Sequence, residues 1–198
     1  MRVLITGANG FVGKNLQLRL RERKDVQMAC FTRHERLEQL PDLLQGVNFV
    51  FHLAGVNRPQ DPQEFTAGNA DLTRDLCGAV AKVAQASGRP VPILYASSTQ
   101  AALDNAYGRS KREAEDALLS AGHNPLVPIH VFRLPNVFGK WCKPNYNSVV
   151  ATFCHNIARD LPIQMNDPQA PVTLVYVDDV IECFLQIMEG EAALAVPD

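Results

Sequence analysis

Short apolar runs alternate along this chain with stretches in which apolar positions recur every three or four residues. The first pattern suits a strand of a buried sheet and the second an amphipathic helix. Their alternation predicts βαβ units around a parallel sheet. Arg2 to Thr6 reads as a first strand and Phe11 to Arg23 as a first helix. Val26 to Thr32 is a second strand, followed by a short helical piece near Glu35 to Gln45. Val47 to Leu53 is almost wholly apolar, as a strand covered on both faces requires. A helix is predicted over about Asn69 to Ala86, with Gly88 and Pro90 as stop signals. Pro92 to Ser97 is the next strand and Tyr107 to Ser120 the next helix, ended by Gly122 and Pro125. Ile129 to Arg133 is strand-like. Beyond Pro135 the pattern loosens through Gly139, Lys143, Pro144, Asn145 and Asn147, then tightens into a helix near Ser148 to Arg159. Short strands around Ile163 and over Val172 to Val175 precede a last helix opened by Asp178 and Asp179.

At 198 residues the chain is long enough to bury a substantial single core. It contains no internal repeat and no low-complexity linker. A net charge of -2 with scattered basic residues gives no reason to invoke nucleic acid or an anionic membrane. Cys30, Cys77, Cys142, Cys154 and Cys183 form no C-x-x-C pair, so reduced thiols are expected and no metal site. Cys154 and His155 are adjacent, but neighbouring side chains on a helix diverge. No run approaches membrane-spanning length, and the N-terminus enters an apolar strand directly. A soluble, cytoplasmic protein is expected.

Gly7-Ala-Asn9-Gly10-Phe11-Val12-Gly13 follows the first strand and opens the first helix. Such a glycine string is weak evidence alone; between strand and helix it acquires the context that dinucleotide binding needs. Gly7 permits the turn, Gly10 lets backbone approach a pyrophosphate, and Gly13 allows helix and sheet to pack closely. Free N–H groups at the helix start then hold the phosphates. The second strand ends in Thr32-Arg33-His34, with no acid before Glu35 to hold a ribose 2′-hydroxyl. Arg33 suits a 2′-phosphate, which favours NADPH over NADH.

Tyr107 and Lys111 stand one turn apart at the start of a predicted helix, on one face. An unperturbed tyrosine titrates near about 10, and a neighbouring ammonium brings it toward neutrality. The preceding strand ends in Ala96-Ser97-Ser98-Thr99, where a hydroxyl at the carboxyl end faces the ligand crevice of a parallel sheet. Glycine turn, serine and Tyr-Lys pair occur in that order on consecutive elements.

Through these residues the chain resembles the extended short-chain dehydrogenase/reductase family over essentially its whole length. His52-Leu53-Ala54-Gly55, Arg133-Leu134-Pro-Asn136-Val-Phe-Gly139 and Tyr176-Val-Asp-Asp179 add to the likeness. The resemblance implies an α/β, Rossmann-like, doubly wound parallel sheet with a small, incomplete substrate lobe. Residues 1–198 would form a single NADP-binding reductase domain, with about 136–175 and 190–198 supplying that lobe. It implies Ser98 as catalytic serine, Tyr107 as acid/base and Lys111 as its partner. Leu53, Ala54 and Gly55 would run beneath the cofactor, with Asn9, Phe11, Val12, His34 and Leu134 also lining its site. Asn136 would face a sugar nucleotide, together with Asn57, Arg58, Thr99 and Lys143.

A narrower likeness, in Leu53 to Pro59, Asp104 to Gly108 and Gly139-Lys-Trp-Cys-Lys-Pro-Asn-Tyr-Asn-Ser148, is to bacterial capsular and O-antigen polysaccharide enzymes. Members of that group make UDP-2-acetamido-2,6-dideoxy-L-talose on the route to UDP-N-acetyl-L-fucosamine. Their reductase domain precedes a cupin that epimerises C3; this chain ends at Asp198 without one, so it reads as a fragment to which epimerisation is not assigned. The implied activity is NADPH-dependent reduction of the C4 ketone of a UDP-linked sugar, by a homodimer. A sugar-nucleotide epimerase or dehydratase using NAD(P) remains an alternative, although Thr99-Gln100 stand where a 4,6-dehydratase carries Asp-Glu. A non-catalytic NADP-binding regulator is a third reading, and it has no need of Tyr107 and Lys111.

Overall fold

The computed structural model describes residues 1–59, 61, 63–165 and 167–190. Five strands, β1 (Arg2–Thr6), β2 (Gln27–Phe31), β3 (Phe49–His52), β4 (Ile93–Ser98) and β5 (Ile129–Leu134), form one sheet in the order β2-β1-β3-β4-β5. β1 pairs in parallel with both β2 and β3, and β3 in parallel with β4. The chain moves outward from β1 to β2 and then returns across β1 to β3. Right-handed crossovers therefore send α1 (Phe11–Arg21) to one face and the helices after β2 to the other. This is the doubly wound, Rossmann-like α/β sheet that the alternating pattern predicts.

Helix periodicity and strand alternation meet in the core. Leu4, Val50 and Ile93 are lateral neighbours on one face, where they pack with Leu40 and Leu44, with Leu76, Val80 and Ala84 of α4 (Leu72–Ser87), and with Ala114 and Leu118 of α5 (Ala106–Ala121). β3 is buried at every position, which explains its unbroken apolar run. Gly88 ends α4 with φ +65°, a left-handed cap that glycine adopts without strain. The Asn105 side chain caps α5 by accepting the Gly108 N–H at 2.8 Å.

The short helix predicted near Glu35 to Gln45 is smaller than its pattern suggests: a 3₁₀ turn over Leu37–Gln39 and a single α-turn, α2 (Leu40–Leu43). The helix predicted from Asn69 starts earlier, with α3 (Gln63–Phe65) and a π-helical stretch over Thr66–Asp71 before α4. Wider π turns change the period, so an apolar spacing rule fails there.

Met1–Arg133 and Leu134–Asp198 are two compact units. In the second, β6 (Asn136–Phe138) and β7 (Leu174–Tyr176) pair in parallel, and α6 (Val149–Ile157) and α7 (Val177–Met188) complete it among the described residues. β6 falls where the pattern loosens, and residues 161–165 form no strand around Ile163. A three-residue strand shows too little alternation to be read locally; pairing specifies it, with Phe138 opposite Tyr176 and their rings 5.5 Å apart.

Candidate active site

The sheet order reverses between β1 and β3, and a crevice for ligands opens beyond the carboxyl ends of the strands at such a point. Gly7 lies there with φ +67°, its N–H donating to Phe31 O at 3.0 Å. A Cβ on Gly7 would come within 2.6 Å of Ala54 N, and one on Gly13 within 2.5 Å of Gly7 O. Only glycine permits this approach of β1, α1 and the segment after β3. No side chain caps the first turn of α1, and Asn9 and Gly10 are exposed beside it. These features fit a dinucleotide pyrophosphate, held by backbone N–H groups at the positive end of the helix. Phe11, Val12, Leu53 and Ala54 are half-buried and Gly55 exposed around the same turn.

At the end of β2, Arg33 and His34 are exposed. The chain then folds Glu35 back so that its carboxylate accepts the Thr32 N–H at 2.6 Å and the Thr32 hydroxyl at 2.7 Å. Those bonds from Thr32 hold the Glu35 carboxyl below its usual range. An acid thus reaches the end of β2 despite lying three residues beyond Thr32.

The Tyr-Lys pair starts α5 as predicted. Tyr107 is half-buried, with its ring 5.8 Å from Phe65, whereas Lys111 is buried. Lys111 Nζ donates to Tyr95 Oη and to Ala96 O, each at 3.1 Å. Burial pulls the Lys111 ammonium down to about 8, with Glu115 one turn on pulling the other way. A Cβ on Gly55 would lie 3.1 Å from Lys111 Nζ, so the absent side chain leaves the ammonium open toward the segment after β3.

Ser98 ends β4 half-buried, its oxygen accepting the Gln100 N–H at 3.2 Å, and Thr99 beside it is exposed. The short link from Ser98 to Tyr107 is fixed throughout. Arg112 donates to Ala101 O and Leu103 O, Arg109 pairs with Asp104, and a Cβ on Gly108 would come within 2.3 Å of Gln100 O. Ser97 turns the other way and donates to Glu115. Glu115 also takes a forked ion pair from Arg133. Burial raises the Glu115 carboxyl, but these hydrogen bonds and the charges of Arg133 and Lys111 outweigh it and leave it lowered.

Several of these polar groups carry no motif of their own. Thr6, His52 and Tyr95 are lateral neighbours on β1, β3 and β4 and are fully buried. Thr6 Oγ1 accepts the Ala54 N–H, and the Thr73 hydroxyl donates to Asn69 O. With its proton committed, the Thr73 hydroxyl can only accept from His52 Nε2, at 2.8 Å, and the neutral ring then takes the Thr6 hydroxyl proton at Nδ1, at 2.7 Å. Burial, with the Lys111 charge nearby, drops His52 to about 3 and keeps it neutral. Asn69, in the π-helical stretch, accepts from Val56 N and donates to Val56 O and Ser110 Oγ. It thereby ties the segment after β3 to α5. The signal available in sequence was a polar residue closing two apolar strands, Thr6 on β1 and His52 on β3, whereas Tyr95 lies inside β4.

Asn57 and Arg58 are exposed after β3 in the first unit. Leu134, half-buried, and Asn136 and Lys143, exposed, belong to the second unit. Residues 191–198, counted with the sugar lobe in the sequence reading, lie outside the described residues. Among the described residues no three His, Cys, Asp or Glu side chains group to hold a metal ion, and no helix is long and apolar enough to cross a membrane.

The model of the NAD dependent epimerase/dehydratase family matches residues 3–197. A Pseudomonas aeruginosa protein named UDP-2-acetamido-2,6-beta-L-arabino-hexul-4-ose reductase is 55% identical over 99% of this chain and 52% of its own. The crystal structure of the capsular polysaccharide assembling protein CapF from Staphylococcus aureus matches with a TM-score of 0.84 at 40% identity, over 99% of this chain and 52% of that one. The chain thus spans about half the length of these relatives. A Bacillus cereus UDP-glucuronic acid 4-epimerase, solved with UDP-glucuronic acid and NAD, shares the fold at TM-score 0.83 and 18% identity, over 98% of this chain and 74% of that one.

Proposed function

The chain belongs to the NAD dependent epimerase/dehydratase family, and on that premise we propose that it is an NADPH-dependent reductase of the C4 ketone on a UDP-linked 2-acetamido-2,6-dideoxy-hexos-4-ulose. The observation that carries this reading is a held lysine one turn from a half-buried tyrosine on α5, in the same unit as the phosphate-binding turn. The 55% identical relative, itself named a reductase of such a 4-ketosugar nucleotide, supports the substrate class.

NADPH, when bound, supplies the hydride that reduces the ketone. The turn from Gly7 to Gly13 would hold its pyrophosphate, and Arg33 would pair with its 2′-phosphate. Tyr107 protonates the sugar oxygen as it becomes an alkoxide, and Ser98 hydrogen-bonds the same oxygen. Lys111 stabilises the phenolate left behind and hydrogen-bonds the nicotinamide ribose. Asn57, Arg58, Thr99, Asn136 and Lys143 are the candidate sugar-nucleotide ligands, with 136–175 and 190–198 as the lobe of one reductase domain. By the same likeness the protein acts as a cytoplasmic homodimer in capsule or O-antigen sugar synthesis.

Tyr107→Phe tests the assignment of the acid. It should leave NADPH affinity within about twofold and lower turnover of the 4-ketosugar nucleotide by at least about 10³-fold, the range expected when a positioned general acid is lost. Turnover that survives the change would overturn the mechanism.

A further inference from the structure

Tyr95 belongs to no motif, yet it touches the lysine on which the proposed chemistry depends. Its hydroxyl accepts from Lys111 Nζ at 3.1 Å, and the same ammonium lies 4.7 Å from its ring centroid. Its ring stacks on His52 at 5.1 Å, and His52 is gripped on both sides by Thr6 and Thr73. The Thr6 end of this row receives the Ala54 N–H, from the segment against which Gly7 packs. The phosphate-binding turn and Lys111 are therefore joined through one buried row across β1, β3 and β4.

An ammonium has three N–H donors. Two of those on Lys111 go to acceptors on β4, Tyr95 Oη and Ala96 O. With two directions fixed, the third is fixed as well, and Gly55 passes close to the ammonium, where a Cβ would lie 3.1 Å from Lys111 Nζ and 2.9 Å from Asn69 Oδ1. A phenol is well suited as the second acceptor, since its ring attracts a cation as well as its oxygen.

We propose that Tyr95 is a positioning residue, whose phenol oxygen fixes the Lys111 ammonium so that its remaining N–H is kept for the cofactor and its charge is kept beside Tyr107. The inference rests on the reductase reading for its kinetic consequences but not for its structural one. Removing the oxygen withdraws one acceptor from a buried cation, so the neutral amine gains ground. The titratable groups around Lys111 are Tyr95 on β4, Glu115 and Tyr107 on α5, and His52 on β3, which is neutral. Burial, with Tyr107 and Glu115 nearby, pushes the Tyr95 phenol well above its usual range, so Tyr95 stays a neutral acceptor through the working pH.

Tyr95→Phe keeps the ring and its stacking and deletes only the oxygen. Lys111 is followed in the ligand-free protein by the ¹³C shift of its Cε, identified by its loss in Lys111→Met. Its titration midpoint should fall by at least about half a pH unit in Tyr95→Phe. In turnover, kcat should fall about tenfold with both KM values within about twofold, and the alkaline limb of the kcat profile should move down by the same interval. An unchanged Lys111 midpoint, or a shifted midpoint with an unchanged pH profile, overturns the proposal. If the wild type turns over no ketosugar, the reductase reading fails, while the midpoint comparison still decides the role of Tyr95. Should Tyr95→Phe not fold, 3-fluorotyrosine installed at position 95 weakens the acceptor without removing it, and a smaller downward shift is required of it.

Discussion

His52 shows how a buried polar residue takes its chemical state from its neighbours. The Thr73 hydroxyl, its proton committed to Asn69 O, fixes its tautomer, and burial fixes its charge, because an imidazolium there would be desolvated beside the Lys111 ammonium. Its folded pKa is about 3, so the unfolded chain binds the extra proton first as pH falls below about 6.5. The stability that depends on neutral His52 is complete above that value and declines toward pH 3. Urea unfolding should show this group costing about 2 kcal/mol between pH 6.5 and 5. His130, also lowered by burial, adds to the slope. In His52→Asn the slope should lose one proton's worth while that of His130 remains. A slope unchanged by the substitution would mean that His52 is protonated in the folded state.

At the scale of elements, the turn between β1 and α1 carries the closest backbone approaches. Gly13→Ala would drive a Cβ into Gly7 O and Ala8, both backbone, while at Gly10 the nearest atom lies 3.1 Å away. Gly13→Ala should therefore cost roughly 1–3 kcal/mol in urea unfolding, as overpacking does. Gly10→Ala should cost less but still hinder the dinucleotide's approach. Equal costs would contradict the packing described. Long elements were legible in the sequence: all five strands of the main sheet, α1, α4 and α5 lie within a few residues of where periodicity puts them. What escaped was short or aperiodic. β6 exists through its pairing with β7, the π-helical stretch breaks the spacing rule, and the run at Ile163 pairs with no strand among the described residues.

Across the whole molecule, the order β2-β1-β3-β4-β5 makes the rest possible, because it brings the ends of β1 and β3 together at the reversal point and α5 alongside β4. The places of the glycine turn, Tyr107 and Lys111 were legible from local spacing, and that of Ser98 from the end of its strand and the family resemblance. The roles of Thr6, His52, Asn69, Tyr95 and Glu115 were not, because their partners lie up to 48 residues away and only the folded chain joins them. Dinucleotide choice also belongs to this scale, since the end of β2 sits beside the glycine turn only through its pairing with β1. On the proposed reading Arg33 would attract a 2′-phosphate, while both Thr32 bonds fall on one oxygen of Glu35. Calorimetry should find NADPH bound more tightly than NADH, with Arg33→Ala reducing that preference by about tenfold or more, the loss of one charge-assisted contact. Equal affinities in the wild type would shift the reading toward an NAD-using epimerase.

Net hydride delivery to C4 can be followed by supplying the 4-ketosugar nucleotide with NADPH that carries deuterium at its transferable position. A reductase should consume NADPH in step with product, leave deuterium at C4 of the sugar and show no transfer in Tyr107→Phe. Conversion of a sugar nucleotide at C4 with no deuterium gained and no NADPH consumed would contradict it, and would identify the chemistry as epimerisation.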